Sequence, residues 1–145
     1  MEMTDREYAA RVKELSQPSP LEKNCALAFA AGGTICVLGQ LLTEVYTALG
    51  LDRENAGTAV SVTLIALSAL LTALGVYDRL AKHSGAGTLV PITGFANAVV
   101  SPAMEFRTEG IVLGTCVKMF SIAGPVIVFG LLASALYGLV LVLLG

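Results

Sequence analysis

Charge is scarce in this sequence: Lys, Arg, Asp and Glu make up 14% of its 145 residues, against about 25% in an ordinary soluble domain. The cations never gather into a block and the formal net charge is −2. Nucleic-acid binding, which needs a clustered basic footprint, is therefore not expected. Tryptophan is absent and histidine occurs once, at His83. No Ser/His/Asp set, phosphate loop or metal-binding helix is present, so neither enzymatic activity, nor a metal, nor a cofactor is expected. The three cysteines, Cys25, Cys36 and Cys116, are odd in number and each sits in apolar sequence. That pattern gives neither a disulfide framework nor a zinc site, and reads as small packing residues. Residues 1–23 lack the basic start and early apolar core of a signal peptide.

Apolar residues fill the space that charge leaves. They make up 55% of the chain, with a mean hydropathy of +0.77. Four charge-free windows approach or reach the ~20 residues that cross a hydrocarbon core: residues 24–43, 55–77, 84–104 and 119–145. The breaks between them hold nearly all the remaining charge. The expected fold is an all-α integral membrane protein of about four transmembrane segments, the third broken or re-entrant between Pro91 and Gly94. A polar cytoplasmic tail, 1–23, precedes a single membrane domain, 24–145. Pro18 and Pro20 suit an extended lead-in.

Small residues line several passes. Ala28, Gly32 and Cys36 recur every four residues in the first. Ser61, Ser68, Thr72 and Gly75 share an arc of the second. Gly130, Ser134 and Gly138 form a stripe in the last, after Gly124 and Pro125. Thin faces let helices approach closely in lipid, so Gly32, Cys36, Gly130, Ser134 and Gly138 are read as packing positions. Ser68 and Thr72 could instead line a path. Residues 110–117, with Gly110 and Gly114, read as a short interfacial helix or the start of the last pass. The similarity of residues 56–63 to 86–93 draws on too small an alphabet to count as a repeat.

The third window is the anomalous one. Pro91 lacks an amide hydrogen and disfavours helix at Val90, and Gly94 weakens the helix beyond it. Backbone opened at membrane depth is tolerated only when buried in protein or facing a watery cavity. Broken helices are also how transporters present dipole ends and carbonyls to solutes. Thr93 and Asn97, one turn apart, can hydrogen-bond a carboxylate or a hydrated ion. Pro91, Thr93, Gly94 and Asn97 are therefore the candidate permeation residues, against the plainer reading of a kinked helix satisfied internally. Gln40, Glu44, Asp78 and Arg79 are further candidates. Glu44 and Lys118 sit near segment ends, within reach of the interface. Asp78 and Arg79 read as a loop ion pair at the membrane boundary, and His83 as a solvated boundary residue. Arg6, Arg11, Lys13, Lys23, Arg79 and Lys82 outnumber Arg53 and Arg107 on the alternate side, which puts the N-terminus in the cytoplasm. The C-terminus shares that side if the third segment crosses.

Several strings resemble a known family. They are Asn24-Cys25, Gly32-Gly33, Gly39-Gln40, Gly75 with Tyr77-Asp78-Arg79, Glu105 with Glu109-Gly110, and above all Val90-Pro91-Ile92-Thr93-Gly94-Phe95-Ala96-Asn97. Together they are similar to the SpoVAC branch of the SpoVA membrane proteins of endospore-forming bacteria, from about Pro20 to Gly138. The resemblance implies residence in the inner membrane of the forespore and spore. It implies movement of dipicolinic acid, with Ca²⁺, into the spore core and out at germination. It also implies a SpoVAD-like soluble subunit and a SpoVAE-like membrane subunit as partners, and a channel-like, tension-responsive role. Four thin-faced helices do not enclose a pore alone, so an oligomer or hetero-complex is expected. Three functions compete: a channel subunit, a non-conducting scaffold of the same complex, and an ion-coupled transporter.

Overall fold

The computed structural model describes residues 4–16 and 20–144. Pro18 and Gly145 lie outside them. Helix α1 (Asp5–Leu15) opens on a reciprocal cap. Thr4 Oγ1 accepts from the Glu7 amide and the Glu7 carboxylate accepts the Thr4 amide at 2.9 Å. That backbone bond, then the Thr4 hydroxyl, holds the Glu7 carboxyl below its ordinary pKa. The Thr-x-x-Glu spacing was the visible signal for this helix.

Helix α2 (Leu21–Ala48) has 28 residues, about 42 Å of helix. It begins three residues before the expected window and runs five past it, because Leu21 and residues 44–48 continue the helical pattern. Gln40 and Glu44 therefore lie within it. A turn with Gly50 at φ 96° leads to α3 (Arg53–Ala73), and the Tyr46 hydroxyl ties the two helices at 2.7 Å from Thr63 Oγ1. Asp52 caps α3: its carboxylate accepts from the Asn55 side chain and then the Asn55 amide, which lowers its pKa. A lowered carboxyl pKa means that the cap is complete above the ordinary aspartate range and is lost as pH falls through the lowered value. Protection of the Asn55 amide, its exchange relative to the intrinsic rate, should fall on acidification through the lowered Asp52 pKa, and Asp52→Ala should show that loss of protection already at neutral pH.

After Gly75 (φ 66°) comes α4 (Tyr77–Ser84), where a loop was expected. Asp78 and Arg79 are exposed neighbours on α4 and form no ion pair with each other. Consecutive helical positions point about 100° apart, so the expected pairing fails for geometric reasons. His83 lies in the last turn with Nδ1 3.0 Å from the Arg79 carbonyl. Gly85 (φ 47°) then separates α4 from the one-turn α5 (Ala86–Leu89). Pro91 leads into α6 (Ile92–Glu105), a 14-residue helix whose largest contact is with α3. A 3₁₀ turn (Arg107–Glu109), Gly110 (φ 101°) and a π turn (Ile111–Cys116) lead directly into α7 (Val117–Leu144). Residues 110–117 thus belong to the last pass, and Lys118 lies inside a helix, its ammonium 4.0 Å above the Phe106 ring.

Among the described residues, three helices are long and apolar enough to span a membrane: Leu21–Ala48, Arg53–Ala73 and Ile111–Leu144. The third window is the broken α5–α6 pair, in keeping with a third segment broken at Pro91. Burial is inverted relative to a soluble protein. Ser68, Thr72, Ser84, Thr88 and Thr93 are buried beside Ala56, Val60, Tyr77 and Ala96, while the leucines of α7 and most of those on α2 and α3 are exposed. Lipid solvates leucine as well as a core does, so packing in a bilayer selects small and hydrogen-bonding residues instead.

Candidate functional site

Pro91 makes the break with its own backbone. Val90 stays helical at φ −72°, ψ −40°, and Pro91 alone turns extended at ψ 162°. The opening therefore falls one residue later than the steric rule on pre-proline residues suggests. The Pro91 carbonyl accepts the Gly94 amide at 2.8 Å and restarts the helix at once. Gly94 lies inside α6, not in the opening. Its role is space: a Cβ there would overlap the carbonyl oxygens of Thr88 and Leu89. Gly87 does the same for the other half-helix, where a Cβ would overlap the backbone of Ala28 on α2. Gly32 on α2 faces Gly87 across the same crossing.

Polar groups around the break are answered by hydroxyls. Tyr77 donates to the Thr88 carbonyl at 2.8 Å, and its oxygen lies 2.9 Å from Thr93 Oγ1. A phenol has one proton, so the Thr93 hydroxyl supplies the second bond. Ser68 Oγ donates to the Thr93 carbonyl at 2.6 Å. Thr72 Oγ1 is 2.7 Å from the Ser68 carbonyl and 2.8 Å from the Asn97 side chain. The Asn97 atom is Oδ1, an acceptor like the Ser68 carbonyl, so the single Thr72 proton is shared between the two. Thr88 Oγ1 closes the set on the Gly85 carbonyl at 3.1 Å. Among the described residues, every buried side-chain nitrogen and oxygen has a partner.

Three clefts adjoin this network. The outermost, about 340 Å³, lies between the start of α2 and the end of α4, lined by Asn24, Lys82, His83 and Gly85. Gly85 also lines the second, about 240 Å³, with Tyr77, Thr88, Gly94 and Asn97. Tyr77 in turn lines the third, about 250 Å³, a largely apolar cleft with Thr34, Leu64, Ser68, Leu71 and Thr93. The row runs from a mouth carrying Lys82 and His83 to two largely apolar clefts that meet at Tyr77.

The structure brings Thr93, Gly94 and Asn97 together with Ser68 and Thr72 around the Pro91 break. It does not bring Gln40, Glu44, Asp78 or Arg79 there. Gln40 donates to Glu44 at 2.7 Å on an exposed part of α2, and Asp78 and Arg79 face outward. Gly32 packs against α5. Cys36 is exposed, and nothing lies within 4 Å of a Cβ built at Gly130 or Gly138. Ser134 is exposed on the same helix. Sequence reasoning missed Tyr77, Gly87 and Thr88. A signal existed for two of them: Thr88 and Thr93 are hydroxyls flanking a proline, and a tyrosine at a pass boundary needs a partner when buried.

Helical spans, outward leucines and a buried hydroxyl core around a broken helix define an all-α membrane protein. Within that class, the chain belongs to the SpoVAC/SpoVAEB sporulation membrane protein family, whose model matches residues 24–140. It is 44% identical to Stage V sporulation protein AC of Bacillus subtilis (strain 168) over 134 residues, 92% of this chain and 89% of that one. No solved structure matches.

Proposed function

We propose that this chain is a membrane channel subunit for dipicolinic acid, moved with Ca²⁺ into the forespore during sporulation and out at germination. It acts in the inner membrane of the forespore and spore with its N-terminus in the cytoplasm. Its partners are a SpoVAD-like soluble subunit, a SpoVAE-like membrane subunit and further copies of membrane chains that complete the pore. The observation that carries this reading is the row of clefts leading from Lys82 and His83 to Asn97 beside the Pro91 break. Dipicolinate is a planar dianion at neutral pH, and a path for it needs fixed donors in place of water. The basic mouth attracts the anion. Asn97 Oδ1 accepts from Thr72, which leaves both N–H groups of its amide to donate to the anion.

A scaffold role has one observation in its favour. Each buried side-chain polar atom among the described residues is satisfied within the chain, so no buried side chain at the break needs a solute as its partner. Ion-coupled transport has none, because Glu44 lies on an exposed part of α2 and is bonded to Gln40. Cysteine at Thr93 or Asn97, in a chain with Cys25, Cys36 and Cys116 replaced, separates the first two readings. A channel subunit in the assembled, open complex gives reaction with a membrane-impermeant thiol reagent at these positions. Complete protection there favours the scaffold.

A further inference from the structure

Tyr77 lies where three features meet. The residue is 4% exposed and lines both the middle cleft and the third; among the described residues no other lines both. Its hydroxyl spans the break, touching the Thr88 carbonyl on the α5 side and Thr93 Oγ1 on the α6 side. It sits at the first position of α4, the helix that also carries Lys82 and His83 of the mouth. One side chain thus fixes the angle between the half-helices and walls one cleft from the next.

We propose that Tyr77 is the gate residue of the path, a latch holding the broken segment closed and a partition between the two clefts. The assignment rests on the permeation reading given above. Opening breaks the two hydroxyl contacts and swings the ring aside. Room for that movement exists on one side: Ala81 and Gly85, four and eight residues on, share the helical face of Tyr77 and line the middle cleft with it. On the other side the closed position is stabilised by dryness. Leu64, Leu67 and Leu71 wall the third cleft, and a dianion does not enter an apolar space without its hydration. Hydrophobic constrictions gate channels by such dewetting.

The test uses the full chain with Cys25, Cys36 and Cys116 replaced, assembled with its membrane partners in vesicles loaded with dipicolinate, with Ala98→Cys as a reporter in the middle cleft. Tyr77→Phe keeps the ring and removes the latch. Loss of a hydrogen bond is a factor of about three to ten in an opening equilibrium. The reporter's reaction with an impermeant thiol reagent and the resting dipicolinate leak should both rise by roughly that factor. Tyr77→Ala removes the partition as well and should leak more than Tyr77→Phe. Thr93→Val, near-isosteric, breaks one of the two contacts and should give a smaller rise, which keeps the test decisive if the Tyr77 variants fold poorly. Variants that unfold at the wild-type temperature yet leave both readouts unchanged overturn the gate. Unchanged readouts with a conducting wild type reject the gate and spare the channel. A raised reporter rate in a complex that never conducts keeps the latch and rejects the channel.

Discussion

Gly87→Leu should detach α5 from α2, whereas Gly33→Ala, one residue from the same crossing, should be neutral or stabilising. The contrast comes from what each added Cβ meets. At Gly87 it overlaps the backbone of Ala28, and backbone cannot rotate away as a side chain does. Overpacking of this kind costs about 1–3 kcal/mol or more, and the larger leucine adds to it. At Gly33 nothing lies within 4 Å, and alanine in a helix interior gains up to ~1 kcal/mol over glycine. Gly32→Ala falls between them, since its Cβ would stand 3.3 Å from the Gly87 carbonyl oxygen. Thermal unfolding in detergent should rank the three as Gly87→Leu least stable, then Gly32→Ala, then Gly33→Ala. Equal midpoints would mean that the glycine crossing does not hold the broken segment.

The second large effect is on conduction. Pro91→Ala restores an amide donor and removes the constraint that starts a new helix at Ile92. A continuous helix through residues 86–105 would remove the opened backbone beside Asn97 on which the proposed path depends, and that loss outweighs the release of the Tyr77 latch. Dipicolinate flux should fall about tenfold or more, the loss of at least one charge-assisted contact's worth of stabilisation, while membrane insertion is unchanged. Asn97→Leu makes the segment more apolar and takes from Thr72 one of two acceptors, leaving the Ser68 carbonyl to accept its proton. Its stability should stay within about 1 kcal/mol of wild type, with flux reduced to a similar degree as in Pro91→Ala. Wild-type conduction in both variants would leave Pro91 and Asn97 with structural roles alone.

Helices and their membrane character were legible because hydrocarbon imposes length and apolarity on each span. The site of the break was legible because a proline in a glycine-rich apolar window has few alternatives. Side-chain traffic around the break was not. Tyr77 lies 16 residues from Thr93 and Ser68 lies 25 residues from it, and no periodicity within one helix encodes such pairing. Gly94 was read through its effect on helix propensity, while its use is to let α6 abut α5, a property of two elements rather than one. Helix α4 was hidden because Asp78, Arg79, Lys82 and His83 look like loop in a hydropathy profile, although an eight-residue polar helix suits a membrane boundary equally well. The charge of Lys118 suggested a segment end; its stack on Phe106 lets the ammonium sit within a long helix.

The most direct measurement is dipicolinate efflux from loaded vesicles that contain this chain, alone and together with its membrane partners. The account predicts release that depends on this chain and is cut by Pro91→Ala. Release that proceeds equally without the chain, or with its broken helix mended, would contradict it.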